Sequence, residues 1–273
     1  MRYTTFTLLI LLFSGCIGDH GVVSEKGVSP TTTVEAEQWM DLLPDPELRG
    51  EIVTEFRSEA VPRLETALLH EAPEVRMAAV EALGDFTSGV IPALQEALQD
   101  EDPDVRFAAV VALGKRGPKA VPTIAEALQD PDRDVRLVAV RTLSTLGPKA
   151  MGAITEGLKD PDPEIRVSAV EALGNLGSFG ISALRKALGN HDKQIQLRAI
   201  EFLGRTGSLG VPSLVTALRD EDKEIRMSTI DVLGRMGTPA VSALEEASRD
   251  SDPQVAARAT EVLKGTTARE DAR

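Results

Sequence analysis

A period of thirty residues runs through this chain from about residue 60 to its C-terminus. An arginine in the phrase DVR or EIR recurs as Arg76, Arg106, Arg136, Arg166 and Arg226, and Gln196 and Ala256 fill the two remaining positions in step. Seven residues further on a leucine never fails: Leu83, Leu113, Leu143, Leu173, Leu203, Leu233 and Leu263. A third register keeps the same step at Val61-Pro62, Ile91-Pro92, Val121-Pro122, Met151-Gly152, Ile181-Ser182, Val211-Pro212 and Val241-Ser242. Three registers in phase over about 200 residues define a stacked array of one supersecondary unit, not a string of independent globular domains.

One unit, residues 90–117, shows what is repeated. Its first half sets Ile91, Leu94, Ala97 and Leu98 at helical spacing, with Pro92 near the start, where a missing N–H costs nothing. Its second half opens on Asp102-Pro103-Asp104, an N-cap aspartate followed by proline at the first helical position. Val105, Ala109 and Leu113 then form an apolar surface, and Gly114 and Gly117 end the helix. Each helix is too short to be stable alone and must bury its face on neighbours. The expected fold is therefore all-α, an α-solenoid of stacked antiparallel helix pairs.

The composition agrees and narrows the chemistry. Aromatic residues are 3% of the chain, and the small apolar side chains that remain let helices approach closely. A formal net charge of -13 argues against nucleic acid as a partner, since phosphate contacts need a basic face. Three histidines and one cysteine leave little from which to build a metal site, and no cofactor is expected.

The pattern D-P-D-V-R-x-A-A-V-x-A-L-G resembles HEAT repeats, in particular the short thirty-residue kind also found in phycobilisome lyases. The resemblance covers residues 59–264, as seven repeats. Residues 35–58 read as a degenerate capping repeat: Asp45-Pro46-Glu47-Leu48-Arg49 repeats the helix start, and Val53 and Phe56 match the Val80 and Leu83 positions. Eight helix pairs are expected, with Trp39 on the first helix, covering the open end of the core, and residues 265–273 as a disordered tail. The resemblance further implies that Asp102 and Arg106, Asp132 and Arg136, Asp162 and Arg166, and Asp222 and Arg226 form a half-buried ladder linking neighbouring units.

The N-terminus reads as an address. Met1-Arg2 supplies a positive start, Phe6 to Phe13 is apolar but far short of the roughly 20 residues a bilayer span requires, and Ser14-Gly15-Cys16 follows. This arrangement resembles the lipobox of secreted lipoproteins, which implies cleavage after residue 15 and a diacylated Cys16. Residues 16–34 then form a tether. The expected location is exported and lipid-anchored, on the periplasmic side or at the cell surface, with the protein monomeric.

Candidate chemistry is sparse. Asp100 to Asp104 alternates acids as a calcium loop does, but the glycine and glutamate that an EF-hand needs at its sixth and twelfth positions are Val105 and Val111. These acids are better read as helix caps that together form an acidic edge. His70-Glu71 resembles one of the His-Glu pairs by which deoxyhypusine hydroxylases hold iron, but several converging pairs would be needed and His191-Asp192 is the nearest imitation. No catalytic set is recognisable. The face that varies between repeats is the remaining candidate. Positions equivalent to 78, 81 and 85 are expected to point outward, on what would be the concave surface of a HEAT array. There Val111, Lys115, Val138 and Arg141 form a mixed apolar and basic patch, the cations lacking an acidic neighbour on their own helices, whereas Glu201–Arg205 and Asp231–Arg235 pair at i,i+4. The function expected is a non-enzymatic scaffold with a protein or peptide partner. The rival readings are a bilin-lyase-like enzyme and a passive envelope spacer.

Overall fold

The structure is a computed structural model, and it describes residues 38–56 and 59–271. Cys16, the apolar segment before it and the tether 16–34 lie outside the described residues. Fifteen α-helices and no strand occur among the described residues: α1 (Pro46–Phe56), α2 (Ala60–Ala67), α3 (Pro73–Leu83), α4 (Ile91–Ala97), α5 (Pro103–Gly114), α6 (Val121–Glu126), α7 (Arg133–Thr145), α8 (Met151–Gly157), α9 (Pro163–Asn175), α10 (Ile181–Ala187), α11 (Lys193–Arg205), α12 (Val211–Ala217), α13 (Lys223–Met236), α14 (Val241–Ala247) and α15 (Pro253–Asp271). From α2 onward they alternate short and long. Each long helix packs on its short partner and on the long helices of the pairs before and after it, so the whole is an α-solenoid within the unit Trp39–Arg273.

The start of five long helices, α5 to α13, follows from an aspartate. Asp102, Asp132, Asp162, Asp192 and Asp222 hold extended N-cap backbone, and each side chain accepts the N–H two residues on. The end of most follows from one residue. Gly117, Gly147, Gly177, Gly207 and Gly237 have φ between 60° and 76°, a conformation that costs glycine nothing. A 3₁₀ turn comes next, and the short helix after it.

Between the helices one residue per helix carries the core. Leu64, Leu94, Ile124, Ile154, Leu184, Leu214 and Leu244 are wholly buried on the short helices, opposite Leu83, Leu113, Leu143, Leu173, Leu203 and Leu233 on the long ones. Small residues let the long helices close up on one another. A Cβ at Gly174 would stand 2.2 Å from the Phe202 ring, so that ring lies directly over the glycine.

Both ends depart from the expectation. At the N-terminal end the first helix of the cap is only a 3₁₀ turn, Met40–Leu42, giving seven pairs and a cap of one turn and one helix. Pro44 has no N–H with which to continue the turn. Trp39 adjoins that turn and is 5% exposed, packed edge-on against Phe56 at 4.8 Å. At the C-terminal end residues 265–271 are helical, where a tail was expected. The position that holds the positive-φ glycine in five earlier units is Thr267 here, so α15 has nothing to stop it and runs on.

Because a solenoid end has no neighbour to bury it, Trp39 carries more of the cap than its single side chain suggests. Trp39→Ala should cost about 3 kcal/mol, read by chemical denaturation as early loss of the N-terminal pairs, while Trp39→Phe should cost less than half as much. An unchanged denaturation profile for Trp39→Ala would show that the end is covered otherwise.

Candidate functional surfaces

The repeated arginine lies one turn into five of the long helices, and its side chain extends along the turn that precedes the helix. Arg106 donates from Nη1 to the carbonyls of Asp100 and Glu101, at 2.8 and 3.1 Å, which pins its own turn. Its Nε and Nη2 reach Asp130 in the next pair at 2.7 and 2.8 Å, a two-pronged contact with both side chains at most 10% exposed. Asp130 in turn accepts the N–H of Asp132 at 2.8 Å, shaping the turn that starts the following helix. Arg76 with Asp100, Arg136 with Asp160 and Arg226 with Asp250 repeat the arrangement. Hydrogen bonding to its aspartate holds each of Arg76, Arg106 and Arg136 above the ordinary arginine pKa, against the opposing effect of burial.

The arginines thus do link neighbouring units, but through other acids than those expected. Asp102, Asp132, Asp162 and Asp222 cap helices, and their carboxylates make no bond to the guanidinium of the arginine four residues on, because they are turned back to the helix N-terminus. The series is interrupted in two consecutive couplings. Asn190 stands where Asp160 and Asp220 stand, so Arg166 reaches past it to Asp192, with Nε at 3.2 Å and Nη2 at 2.6 Å from one carboxylate oxygen. Arg166 is the first cause holding Asp192 below the usual aspartate range. Gln196 then meets Asp220 through a single amide bond of 3.2 Å.

A second series joins the pairs on the outside. Where proline is missing from the first helical position, a cation replaces it. Arg133 reaches Asp162 at 2.8 Å and also Glu164; Lys193 reaches Asp222 at 2.9 Å and also Glu224; Lys223 lies 3.4 Å from Asp252. Arg133 is the leading cause of a lowered Asp162 pKa, and Lys193 of a lowered Asp222 pKa. The acidic edge is therefore partly neutralised by cations of the preceding pair.

On the exposed face of the long helices the expected charge pairs give way to pairs between helices. Arg235 meets Glu201 at 2.6 Å, and Asp231 is taken by Arg258 at 2.8 Å. Arg205 lies over the Phe202 ring at 5.1 Å instead of pairing with Glu201. Lys115 and Arg141, which lack an acidic neighbour on their own helices, meet acids of adjacent units: Asp85, in the turn after α3, at 2.8 Å and Glu164, on α9, at 3.5 Å. Position 78 is outward in only part of the array: Arg198 there is exposed, but Ala78 is 2% exposed and Val138 is half-buried. Three residues after the core position 75, it faces the neighbouring helix. Position 77 reaches the surface at Phe107, although Leu137 in the next unit is buried, and sequence reasoning passed over it. Phe107 there is 40% exposed, one turn before Val111 at 43%, so the two present an apolar strip on α5.

The two histidines among the described residues lie in turns. His70 Nδ1 accepts the N–H of Ala72 at 3.1 Å, as the aspartates do in later units, and His191 is exposed in its turn. No group of three or more metal-binding side chains is gathered among the described residues, and none of their helices is long and apolar enough to cross a membrane.

The architecture and its repeat motif define the family. Residues 87–144, 121–188, 151–212 and 181–264 match HEAT repeats, and residues 60–90 match a HEAT repeat. These matches cover well over half of the chain, which belongs to the HEAT-repeat family. No curated protein sequence matches it. Among solved structures, importin β crystallised in an ammonium sulfate condition is similar with a TM-score of 0.50 at 17% identity, over 85% of this chain and 38% of that one. The archaeal HEAT-like repeats protein of Thermococcus onnurineus NA1 has a TM-score of 0.41 at 16% identity, covering 89% and 99%. Human deoxyhypusine hydroxylase in complex with glycerol has 0.37 at 23%, covering 86% and 98%. At such identities they share the fold alone.

Two outcomes test the ladder. Asp130→Asn leaves the buried Arg106 without its counter-charge and should cost about 3 kcal/mol, whereas Gln196→Arg should restore a full contact to Asp220 and add about 1 kcal/mol, both read from denaturant midpoints. The contribution of Asp192 depends on pH with a fixed sign. Its folded pKa is depressed, so its stabilisation is complete above the unfolded value of about 3.9 and drains as pH falls below it. Asp192→Asn should therefore destabilise at pH 7 and differ little from the parent at about pH 2; equal losses at both would refute the assignment.

Proposed function

We propose that the protein is a lipid-anchored, non-enzymatic scaffold that binds a protein or peptide along the exposed face of its long helices. The observation that carries this is the Phe107–Val111 strip on α5. Large apolar side chains that remain at the surface in a repeated array mark a contact, since the two neighbouring units put the half-buried Met77 and buried Leu137, and the charged Glu81 and Arg141, at the same positions. Arg141 at 62% exposure and Lys115 at 50% flank the strip, each beside an acid, so they steer and register a partner while the apolar pair supplies burial. Anchoring is supported by the signal-like N-terminus and by Cys16, the chain's single cysteine, in a lipobox-like setting. Two acyl chains hold a protein stably where one is marginal.

The phycobilisome-lyase-like character of the repeats belongs to this proposal as a likeness of sequence type only. A passive spacer would carry the same repeats without needing the strip.

Phe107→Glu with Val111→Glu should reduce capture of partners from solubilised membranes at least tenfold, about 1.4 kcal/mol, while stability shifts by less than about 0.5 kcal/mol. Capture undiminished by this double variant would favour the spacer. Cys16→Ser should release the protein from the membrane fraction or leave it unprocessed; a variant that is cleaved and still membrane-bound would refute the anchor.

A further inference from the structure

The two edges of the array are made from different turns and carry opposite charge. The turns inside each pair hold the aspartates and glutamates described above. Of the turns between pairs, the first, at 84–90, holds Asp85, which is paired with Lys115; the others, at 114–120, 144–150, 174–180, 204–210 and 234–240, contain no acid, and they include Lys115, Lys119, Lys149, Arg205 and Arg235.

Each of these turns has a single tip. It is the residue between the positive-φ glycine's successor and the buried residue that opens the short helix, and in order it is Lys119, Lys149, Phe179, Leu209 and Pro239, all exposed. Phe179 is 64% and Leu209 61% exposed, more than Phe107 or Val111, and they occupy the same place in consecutive turns. Both sit in Gly-Ser-x-Gly turns drawn tightly against the preceding helix. A Cβ at Gly180 or Gly210 would lie 2.0 or 2.1 Å from the carbonyl oxygen of Leu173 or Leu203. Such turns cannot fold their tips inward. Lys119 and Lys149 make no ion pair among the described residues, so their charge is available.

We infer that this edge is a membrane-contact edge, and that its ligand is a bilayer containing anionic phospholipid. A row of single side chains, two cationic then two apolar, is spread over roughly 30 Å at helix-packing spacing. That form suits a plane, into which aromatic and aliphatic tips insert while lysines meet phosphate. A peptide groove would need side chains converging on a cleft. The charge arrangement also selects the orientation: a chain of net charge -13 is repelled by an anionic surface except through the stretch of this edge from 114 to 240, whose turns hold no acid. The inference takes its location from the anchored reading, because a tethered array is held within reach of a bilayer, but its test does not need the anchor.

The full chain carrying Cys16→Ser, which removes acylation, is floated with vesicles of phosphatidylcholine alone or of phosphatidylcholine and phosphatidylglycerol in equal parts. Binding is expected to the second kind. Phe179→Asp with Leu209→Asp should weaken it about tenfold, and Lys119→Glu with Lys149→Glu by about fivefold per lysine. Leu69→Asp, an 85% exposed position on the opposite edge, should change nothing. Circular dichroism unchanged from the parent confirms folding, and Phe179→Trp emission quenched by brominated phosphatidylglycerol reports insertion without loss of any cation. Equal binding by all variants assigns attachment to the N-terminal segment and overturns the inference. So does an absence of binding, or a basic edge that instead drives self-association without vesicles, by meeting the acidic edge of a second copy. Failure of the anchor is read separately, from whether Cys16→Ser alters membrane retention in cells.

Discussion

The two-pronged bond between a buried arginine and the aspartate 24 residues further on is the interaction on which the array depends. Its geometry does three things at once. The guanidinium ties down the turn before its own helix, crosses to the next pair, and grips a carboxylate that is itself shaping the next helix start. A buried ion pair of this kind adds little net stability over a well-packed apolar substitute, yet breaking it is costly. Its value lies in register. With core positions filled by Leu, Ile, Val and Ala in every unit, apolar packing alone would tolerate small slips between pairs; directional bonds to a fixed acid do not.

The surface obeys the same economy of neighbours. Nearly every charged group that sequence reasoning would have paired along its own helix finds its partner on the adjacent one. An antiparallel pair repeated at close spacing brings position 81 of one unit near position 85 or 78 of the next, a shorter reach than i,i+4 for a long side chain already leaning sideways. Charge on such a surface is a property of two units, and this is why Lys115 and Arg141 look isolated when each helix is read alone.

What could be read from the chain follows from this. The fold was legible because the period, the Asp caps and the core leucines are local and recur. The capping function of Asp102 and its equivalents was legible too, but their place in the ladder was not. Position 100 and position 102 are both aspartate in most units, and only the packed structure distinguishes the one that turns to the neighbour from the one that turns to its own helix. Phe107 was missed because position 77 is apolar throughout, from Met77 to Met227, and an apolar position that repeats reads as core. Leu137 at that position is 7% exposed; Phe107 is larger than its site and projects. The run-on of α15 was in the sequence as Thr267 in place of glycine, a signal visible only once those glycines are known to have positive φ.

Asn190 and Gln196 have a consequence for how the array comes apart. They fall in consecutive units, so the couplings from α9 to α11 and from α11 to α13 are both made with fewer or single-pronged bonds, while those on either side are complete. In a quasi-one-dimensional stack the interfaces set cooperativity, and the weakest adjacent interfaces divide it. Helix α11 is thus flanked on both sides by couplings that lack the grip on two carboxylate oxygens, and it is there that the array is expected to open first.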